Sequence, residues 1–419
     1  MRLRFDDLRL RAYLLSKKMR QFPSVIRENV PRFYVDEECC PAVGNNYAIV
    51  VSYSGFGVAS DLIDLLKALR RRGVNAVVIC NGLPKLNVLE MLRRDAHRVM
   101  VRRNVGRDFG AFRAATLRLA AEGRAVSRML YFNDSVIYIA GAELDAMVHR
   151  MIEDTYPVIG AFENHEFEHH IGSYVFSVSG EVFYDSKLLS FWKRYRPYDI
   201  RPHAIHQGEI ALSRQLKKRG YAIGVIYSVD RLGEHLRTFD AAQLLGLLKY
   251  MTPAWRSAFL AQTREGTLGV GRQLVSAFEV ERHTSRPSGD TPQSSSQGAV
   301  PTLSSLTRPP DTPRGRQQTT FAAAHREVLR WSIIQAMLAE VSAHSQIHVG
   351  FGLFRLLLGA PVVKKDLLQR GLWSEQDCLQ ILDDVPPEAR RRIIRQLINR
   401  GRPLHVSGTR RFLLRHGLE

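Results

Sequence analysis

The stretch MLYFNDSVIYI places Asn133, Asp134 and Ser135 at the end of an apolar, strand-like run. A carboxylate at such an end can hold Mg²⁺ or Mn²⁺ through one oxygen while the cation bridges a nucleotide diphosphate. A lone carboxylate fits equally well as an N-cap before the next segment. A second junction, Arg102-Arg103-Asn104-Val105-Gly106-Arg107-Asp108-Phe109-Gly110-Ala111, follows another strand-like run. Gly106 permits a tight turn, and Asp108 either caps a helix beginning at Phe109 or accepts hydrogen bonds from a ribose or base. Arg103 and Arg107 would suit a diphosphate. A third group, Ile205-His206-Gln207-Gly208-Glu209, leads into IALSRQLKKRG. Glu209 is expected in the first turn of that helix, where the dipole keeps a carboxylate ionised and favours a base or a metal-side role. His165-Glu166-Phe167-Glu168-His169 matches H-E-x-x-H. A zinc hydrolase using His165, Glu166 and His169 needs both histidines on one helix, and the alternation of HIGSYVFSVSGEVF that follows predicts a strand. Glu163, His165, Glu166, His169 and His170 remain candidates for the lining of a cleft.

The elements that must carry these residues alternate. YAIVVSY (47–53) and NAVVIC (75–80) read as strands around the helical SDLIDLLKALRRRG (60–73), a β-α-β unit with parallel pairing. HRVMV (97–101), a helix from Phe109 to about Glu122, SRMLYF (127–132), a helix over Ala142–Met151 and YPVIGAF (156–162) continue the pattern. This predicts an α/β fold with a mostly parallel sheet, whose ligands gather beyond the carboxyl ends of the strands. Residues 282–320 lack aromatic residues and are dense in Ser, Thr and Pro, which predicts a disordered linker. The expected organisation is a basic N-terminal extension (1–44), an α/β domain (45–281), the linker (282–320) and a small helical basic domain (321–419). Trp331, Phe351, Phe354 and Leu356 to Leu358 are read as core of that last domain.

A chain of 419 residues with 45% hydrophobic residues can bury a full core. Cys39, Cys40, Cys80 and Cys378 fit neither a disulfide framework nor a metal-ligand spacing, which implies a reducing compartment. The opening MRLRFDDLRLRAYLLSKKMR has no apolar stretch suited to a secretory core, and no later run approaches ~18 apolar residues, so a cytoplasmic chain without a spanning helix is expected. The formal charge of +19 is concentrated toward both ends of the sequence, where it suits an anionic membrane surface or reflects only arginine-rich coding. No aromatic residues are interleaved with the basic ones as a nucleic-acid surface would require, so nucleic acid is not an expected partner.

Taken together, NVGRDFGAF, FNDS after a hydrophobic strand, HIGSYVFSVSGEVF, FWKRY and HQGEIALSRQLKKRGY resemble the rhamnan synthesis protein F family, bacterial glycosyltransferase-like proteins of cell-surface polysaccharide assembly. Its N-x-G-x-D-x-G-A pattern is met by Asn104, Gly106, Asp108, Gly110 and Ala111, and its N-D-S by Asn133, Asp134 and Ser135. Its S-Y-x-F is met by Ser173, Tyr174 and Phe176, and its late glutamate by Glu209. The resemblance spans about 45–250 and resumes at GAPVVKKDLLQRG (359–371). Two departures stand out: Val136-Ile137-Tyr138 follows N-D-S in place of a turn, and His170-Ile171-Gly172 precedes S-Y-x-F. The resemblance implies a GT-A-like fold and transfer of a deoxyhexose, rhamnose foremost, from dTDP- or GDP-rhamnose to a lipid-linked glycan, with inversion. It further implies Asp134 at a Mg²⁺ or Mn²⁺ ion beside the donor diphosphate. Asn104, Gly106, Arg107, Asp108, Asn133 and Ser135 would then surround the donor. Glu209 would be the base, with Glu163 and Glu166 as rivals, and the protein would sit at the inner face of the cytoplasmic membrane, in a polysaccharide assembly complex. A non-catalytic scaffold with the same fold is the competing reading.

Overall fold

The computed structural model describes residues 2–53, 60–264 and 313–401. The contacts divide the chain into two units, one combining Met1–Leu232 with Val341–Glu419, the other Gly233–Glu340.

The first unit is α/β, as the alternation predicts. Its main sheet holds eight strands, β1 (Phe33–Glu38), β2 (Asn46–Tyr53), β3 (Val74–Asn81), β4 (Arg98–Arg102), β5 (Arg128–Phe132), β7 (Val158–Gly160), β10 (Val175–Ser179) and β11 (Ile223–Val225), in the order β1-β4-β3-β2-β5-β10-β7-β11. The pairs β2–β3, β3–β4, β2–β5 and β7–β11 are parallel, whereas β1 and β10 run against their neighbours. Two ribbons lie outside this sheet. One pairs β8 (Glu163–Asn164) with β9 (His170–Ile171), the other β6 (Val136–Tyr138) with β12 (Val362–Lys364).

Central strands are apolar on both faces because helices cover both, and every residue of β3 is buried. Helix α1 (Arg2–Arg27) precedes the sheet, α2 (Ser60–Arg71) buries Leu62, Leu65, Leu66 and Leu69, and α3 (Leu86–Asp95) buries Val88 and Leu92. Helix α4 (Arg107–Ala121) turns Phe109, Phe112 and Ala115 into an aromatic core. There Tyr131 stacks on Phe176 at 4.3 Å and Phe112 meets Tyr131 edge-on at 5.3 Å. Such pairs add roughly 0.5–1.5 kcal/mol each beyond the area they bury.

Residues 1–44 were expected to be an extension, yet β1 pairs antiparallel with β4 and closes the sheet edge. The alternation of FYVDEE is broken by three successive acidic residues, which hides the strand; its register is fixed instead by Asp36, whose carboxylate accepts from Arg98 at 2.6 Å and Arg118 at 2.8 Å. Residues 321–419 were expected as one helical domain, but residues 341–401 belong to the first unit. There β12 pairs with β6, Phe351 and Phe354 are buried, and Leu356 is exposed. Of the expected linker, residues 282–312 lie outside the described residues, and 313–320 open the helix Pro313–Ala343.

In the second unit, Asp240 and Gln243 form a reciprocal capping box on the helix Ala241–Leu247. Trp331, read from sequence as core, is 39% exposed and lies beneath the guanidinium groups of Arg330 and Arg237, at 5.6 and 6.0 Å.

The turn from β4 into α4 depends on close packing. A Cβ on Gly110 would lie 2.2 Å from the Val105 carbonyl oxygen and 3.3 Å from Pro197. Gly110→Ala should therefore destabilise the protein by about 1–3 kcal/mol, read as a lower urea midpoint; an unchanged midpoint would contradict the packing of this turn.

Candidate functional site

Chain order reverses between β2 and β5, since β3 and β4 build outward on one side of β2 and β5 returns to the other. In open α/β sheets the crevice beyond the carboxyl ends at such a point takes ligands. Here a cleft of about 1290 Å³ opens there, lined by Asp108, Asp134, Glu209 and Lys364 among others.

β5 delivers Asn133, Asp134 and Ser135 into this cleft. No helix follows, so neither Asp134 nor Ser135 is an N-cap; β6 begins at Val136. The Asp134 carboxylate accepts from the Tyr53 backbone N–H at 2.7 Å, joining the ends of β5 and β2 across the reversal. Asn133 is buried and knots the site together. Its Nδ2 donates to Asp108 Oδ2 at 2.8 Å, and its Oδ1 accepts from the Ser135 N–H and hydroxyl at 3.0 and 2.6 Å.

Asp108 does not cap a helix beginning at Phe109. The helix begins two residues earlier, at Arg107, with Gly106 as N-cap in a left-handed conformation (φ 81°) and no side-chain cap. The first-turn N–H groups of Gly106 and Arg107 are instead satisfied by Asp199, at 2.6 and 3.2 Å. That leaves Asp108 free to face Asp134. Burial, and then the Asp134 charge, push its pKa up to about 6, against the pull of Arg107 and Lys364.

Glu209 also differs from expectation. The helical segment starts at Arg201 and passes through a π-helical stretch, Ala204–Ile210, before the helix Ala211–Lys218, so Glu209 lies mid-segment rather than in a first turn. The first-turn placement expected from the sequence is therefore not realised. The Glu209 carboxylate is fixed by side chains: Ser173 donates to Oε1 at 2.5 Å, and His170 Nε2 lies 3.7 Å from Oε2.

Asn104, Arg107, Asn133, Ser135, Glu163 and Glu166 line the same cleft. Gly106 is buried beneath Pro197 and shapes the loop without facing the cleft. Arg103 points elsewhere, into a smaller groove with Arg20 and Asp199. Glu163 is engaged by His169 at 2.9 Å and His165 at 3.5 Å. Although burial opposes ionisation, the His169 hydrogen bond and the two imidazoles hold its pKa below the ordinary value. Glu166 is exposed in the turn between β8 and β9, and the H-E-x-x-H residues are not helical, so the arrangement that a zinc-peptidase mechanism needs is not formed.

Sequence reasoning missed the wall supplied from residues 345–400. Lys364 on β12 donates to Ser135 Oγ at 2.8 Å and lies 4.7 Å from the centre of the Tyr174 ring. Burial lowers its pKa, while Asp366, Glu209 and Asp108 pull the other way. Arg392, Arg395 and Arg400 line the cleft nearby. The only signal was the lysine after the apolar run in GAPVVKKDLL. The carboxylates Asp108 and Asp134 offer hard oxygen donors, the chemistry that suits Mg²⁺ or Mn²⁺.

No family model matches the chain. A curated relative, the uncharacterized protein y4gN of Sinorhizobium fredii, is 24% identical over 216 residues, which cover 51% of this chain and 56% of the relative; the chain thus spans little more than half of that protein's length. Among solved structures, the mannosyltransferase PcManGT of Pyrobaculum calidifontis, in complex with GDP-Man and Mn²⁺, is 11% identical, with a TM-score of 0.29 over 81% of this chain and 97% of that one. The galactosyltransferase LgtC, in complex with donor and acceptor sugar analogs, is 10% identical, with a TM-score of 0.28 over 43% of this chain and 72% of that one. Likeness at this level does not identify which residues act.

The raised pKa of Asp108 has a signed consequence. An acid held above its unfolded value stabilises the fold while protonated and loses that contribution as pH rises through the folded pKa, here between about 4 and 6. With divalent cations chelated, Asp108→Asn should gain stability relative to wild type as pH rises through this window. The check is a set of urea midpoints at half-unit pH steps; a constant difference would refute the raised pKa of Asp108.

Proposed function

We propose that the chain is an inverting glycosyltransferase with a GT-A-like donor domain, related to the rhamnan synthesis protein F family, that moves a deoxyhexose, rhamnose foremost, from a nucleotide diphosphate sugar to a lipid-linked glycan. The observation that carries this reading is the meeting of Asp108, Asp134, Glu209 and Lys364 in one cleft at the strand-order reversal. Sugar-nucleotide transfer needs this combination: acidic oxygens for a diphosphate-bound cation, positive charge for the departing diphosphate, and a base for the acceptor.

Asp134 and Asp108 would hold Mg²⁺ or Mn²⁺, which supplies neutralisation of the diphosphate when bound. Lys364 and Arg107 add positive charge from the protein itself. Glu209, oriented by Ser173, takes the proton as the acceptor O–H bond breaks. The acceptor oxygen then bonds to the anomeric carbon on the face opposite the diphosphate, and the bond to the diphosphate oxygen breaks with its electron pair leaving on that oxygen. Glu163, already engaged by two imidazoles, is less suited to this task, and exposed Glu166 has no partner comparable to Ser173 among the described residues.

A membrane-bound acceptor is supported by α1. Leu15, Met19, Phe22 and Ile26 follow at helical spacing and are 61%, 68%, 54% and 44% exposed, on a helix that also exposes Arg9, Arg11, Lys18, Arg20 and Arg27. An apolar stripe flanked by cations fits an anionic bilayer surface. No described helix is long and apolar enough to cross a membrane.

Donor binding should be selective for one rhamnose nucleotide, require Mg²⁺ or Mn²⁺, and be abolished in Asp134→Ala; calorimetry with dTDP-rhamnose and GDP-rhamnose checks this. Glu209→Gln should lower turnover by about 10²- to 10⁴-fold while leaving the donor isotherm in place. No binding to either donor with either cation would overturn the transferase reading in favour of the scaffold. Phe22→Asp should reduce co-sedimentation with vesicles containing anionic lipid by about tenfold, and equal binding by wild type and variant would remove the membrane assignment.

A further inference from the structure

We propose that Glu163, His165 and His169 form a zinc site that clips the β8–β9 hairpin, separate from the Asp108–Asp134 cation position. The candidate ligand atoms of these residues all lie within 4.8 Å of one another. Glu163 Oε2 is 2.9 Å from His169 Nε2 and 3.5 Å from His165 Nε2. Metal–ligand bonds of about 2.0–2.2 Å in tetrahedral geometry place neighbouring ligand atoms roughly 3.3 Å apart, so only small side-chain adjustments are needed. Two imidazoles and one carboxylate select a borderline-soft ion, whereas Mg²⁺ and Ca²⁺ favour oxygen alone. Three protein ligands leave a fourth position for water.

The backbone that presents these ligands is independently braced. The Glu166 N–H donates to Asn164 Oδ1 at 2.8 Å, which shapes the turn. Arg214 holds Glu168 through bonds of 2.6 and 2.8 Å, and Lys217 donates to the His169 carbonyl at 2.6 Å. The site is open to an incoming ion, since the His165 and His169 side chains are 43% and 31% exposed. Its spacing is not that of the H-E-x-x-H mechanism: Glu163, outside that motif, supplies the carboxylate, and the motif's own Glu166 is not part of the cluster.

The clip has a consequence for the cleft. The hairpin carries Glu166 and Phe167 along the cleft wall, and β9 carries His170, whose Nε2 faces Glu209. A bound ion would join the two ends of the turn between β8 and β9 and so limit the motion of this wall, whether or not the chain transfers sugar.

The test titrates Zn²⁺ into the full-length protein after chelator treatment, following heat and the protection of the 163–170 segment from limited proteolysis. One equivalent should bind and slow cleavage there. Affinity should fall at least tenfold in His169→Gln and in His165→Ala, and stay unchanged in Asp134→Asn and in a Cys39→Ser/Cys40→Ser variant. No saturable binding by wild type, retention of affinity in both histidine variants, or loss in the aspartate or cysteine variants would each overturn the proposal. Because the readouts need no sugar nucleotide, failure here is distinct from failure of the transferase reading.

Discussion

Like charges that must share one small space govern this molecule. Asp108, Asp134 and Glu209 line a single cleft, and the pKa of Asp108 is driven up by burial and by the Asp134 charge. Such a cluster needs positive charge, from the protein or from a ligand. The protein supplies Arg107 and Lys364, and Lys364 reaches Ser135 across 229 residues of sequence by way of the β6–β12 ribbon. The late segment is thus part of the site. Removing β12 would expose the buried face of β6 and take away one of the cations that offset the carboxylates.

Much of the arginine excess has an internal use, which qualifies its reading as a polyanion-binding surface. Arg102 is 1% exposed and spans Glu28, Asn81 and the Val105 carbonyl, tying the end of α1 to the loop that carries Asn104 and leads into α4. Burial lowers the pKa of Arg102, with Glu28 opposing that shift. Arg113 donates to the carbonyls of Glu28, Asn29 and Trp192. A guanidinium supplies five donors in a rigid fork, so one buried side chain can satisfy several carbonyl groups that would otherwise be left without partners. The exposed basic residues of α1 are among those that remain available to a surface.

The sheet was legible because apolar runs of strand length alternate with amphipathic helices, a pattern generated by local spacing alone. Asn133, Asp134 and Asp108 were legible because polar residues at strand ends are placed by the same pattern. What escaped depends on distant contacts. β1 is half acidic, and its Asp36 carboxylate is met by Arg98 and Arg118 from elements far along the chain. Lys364 follows an apolar run that could as well have ended a helix, and nothing near it in sequence reveals β6 as its partner. The helix start at Arg107 rather than Phe109 depends on Asp199, 92 residues away from Arg107.

The placement of Glu209 joins these themes. A continuous α-helix from Arg201 to Lys218 would rotate each residue by a fixed amount, whereas the wider π turn at Ala204–Ile210 shifts the register of everything before it. Within that turn Gly208 packs so tightly that a Cβ would lie 2.8 Å from the Phe109 ring, and Phe109 is in the first turn of the helix that carries Asp108. The glutamate and the aspartate therefore sit on two helices locked at one contact, with Ser173 holding the glutamate from the strand side. A π turn has poorer hydrogen-bond geometry than an α turn and persists where the surrounding packing requires it. Here the packing that requires it also sets the separation of Glu209 from Asp108. The distance between Glu209 and the carboxylates of Asp108 and Asp134 is thus determined by the core.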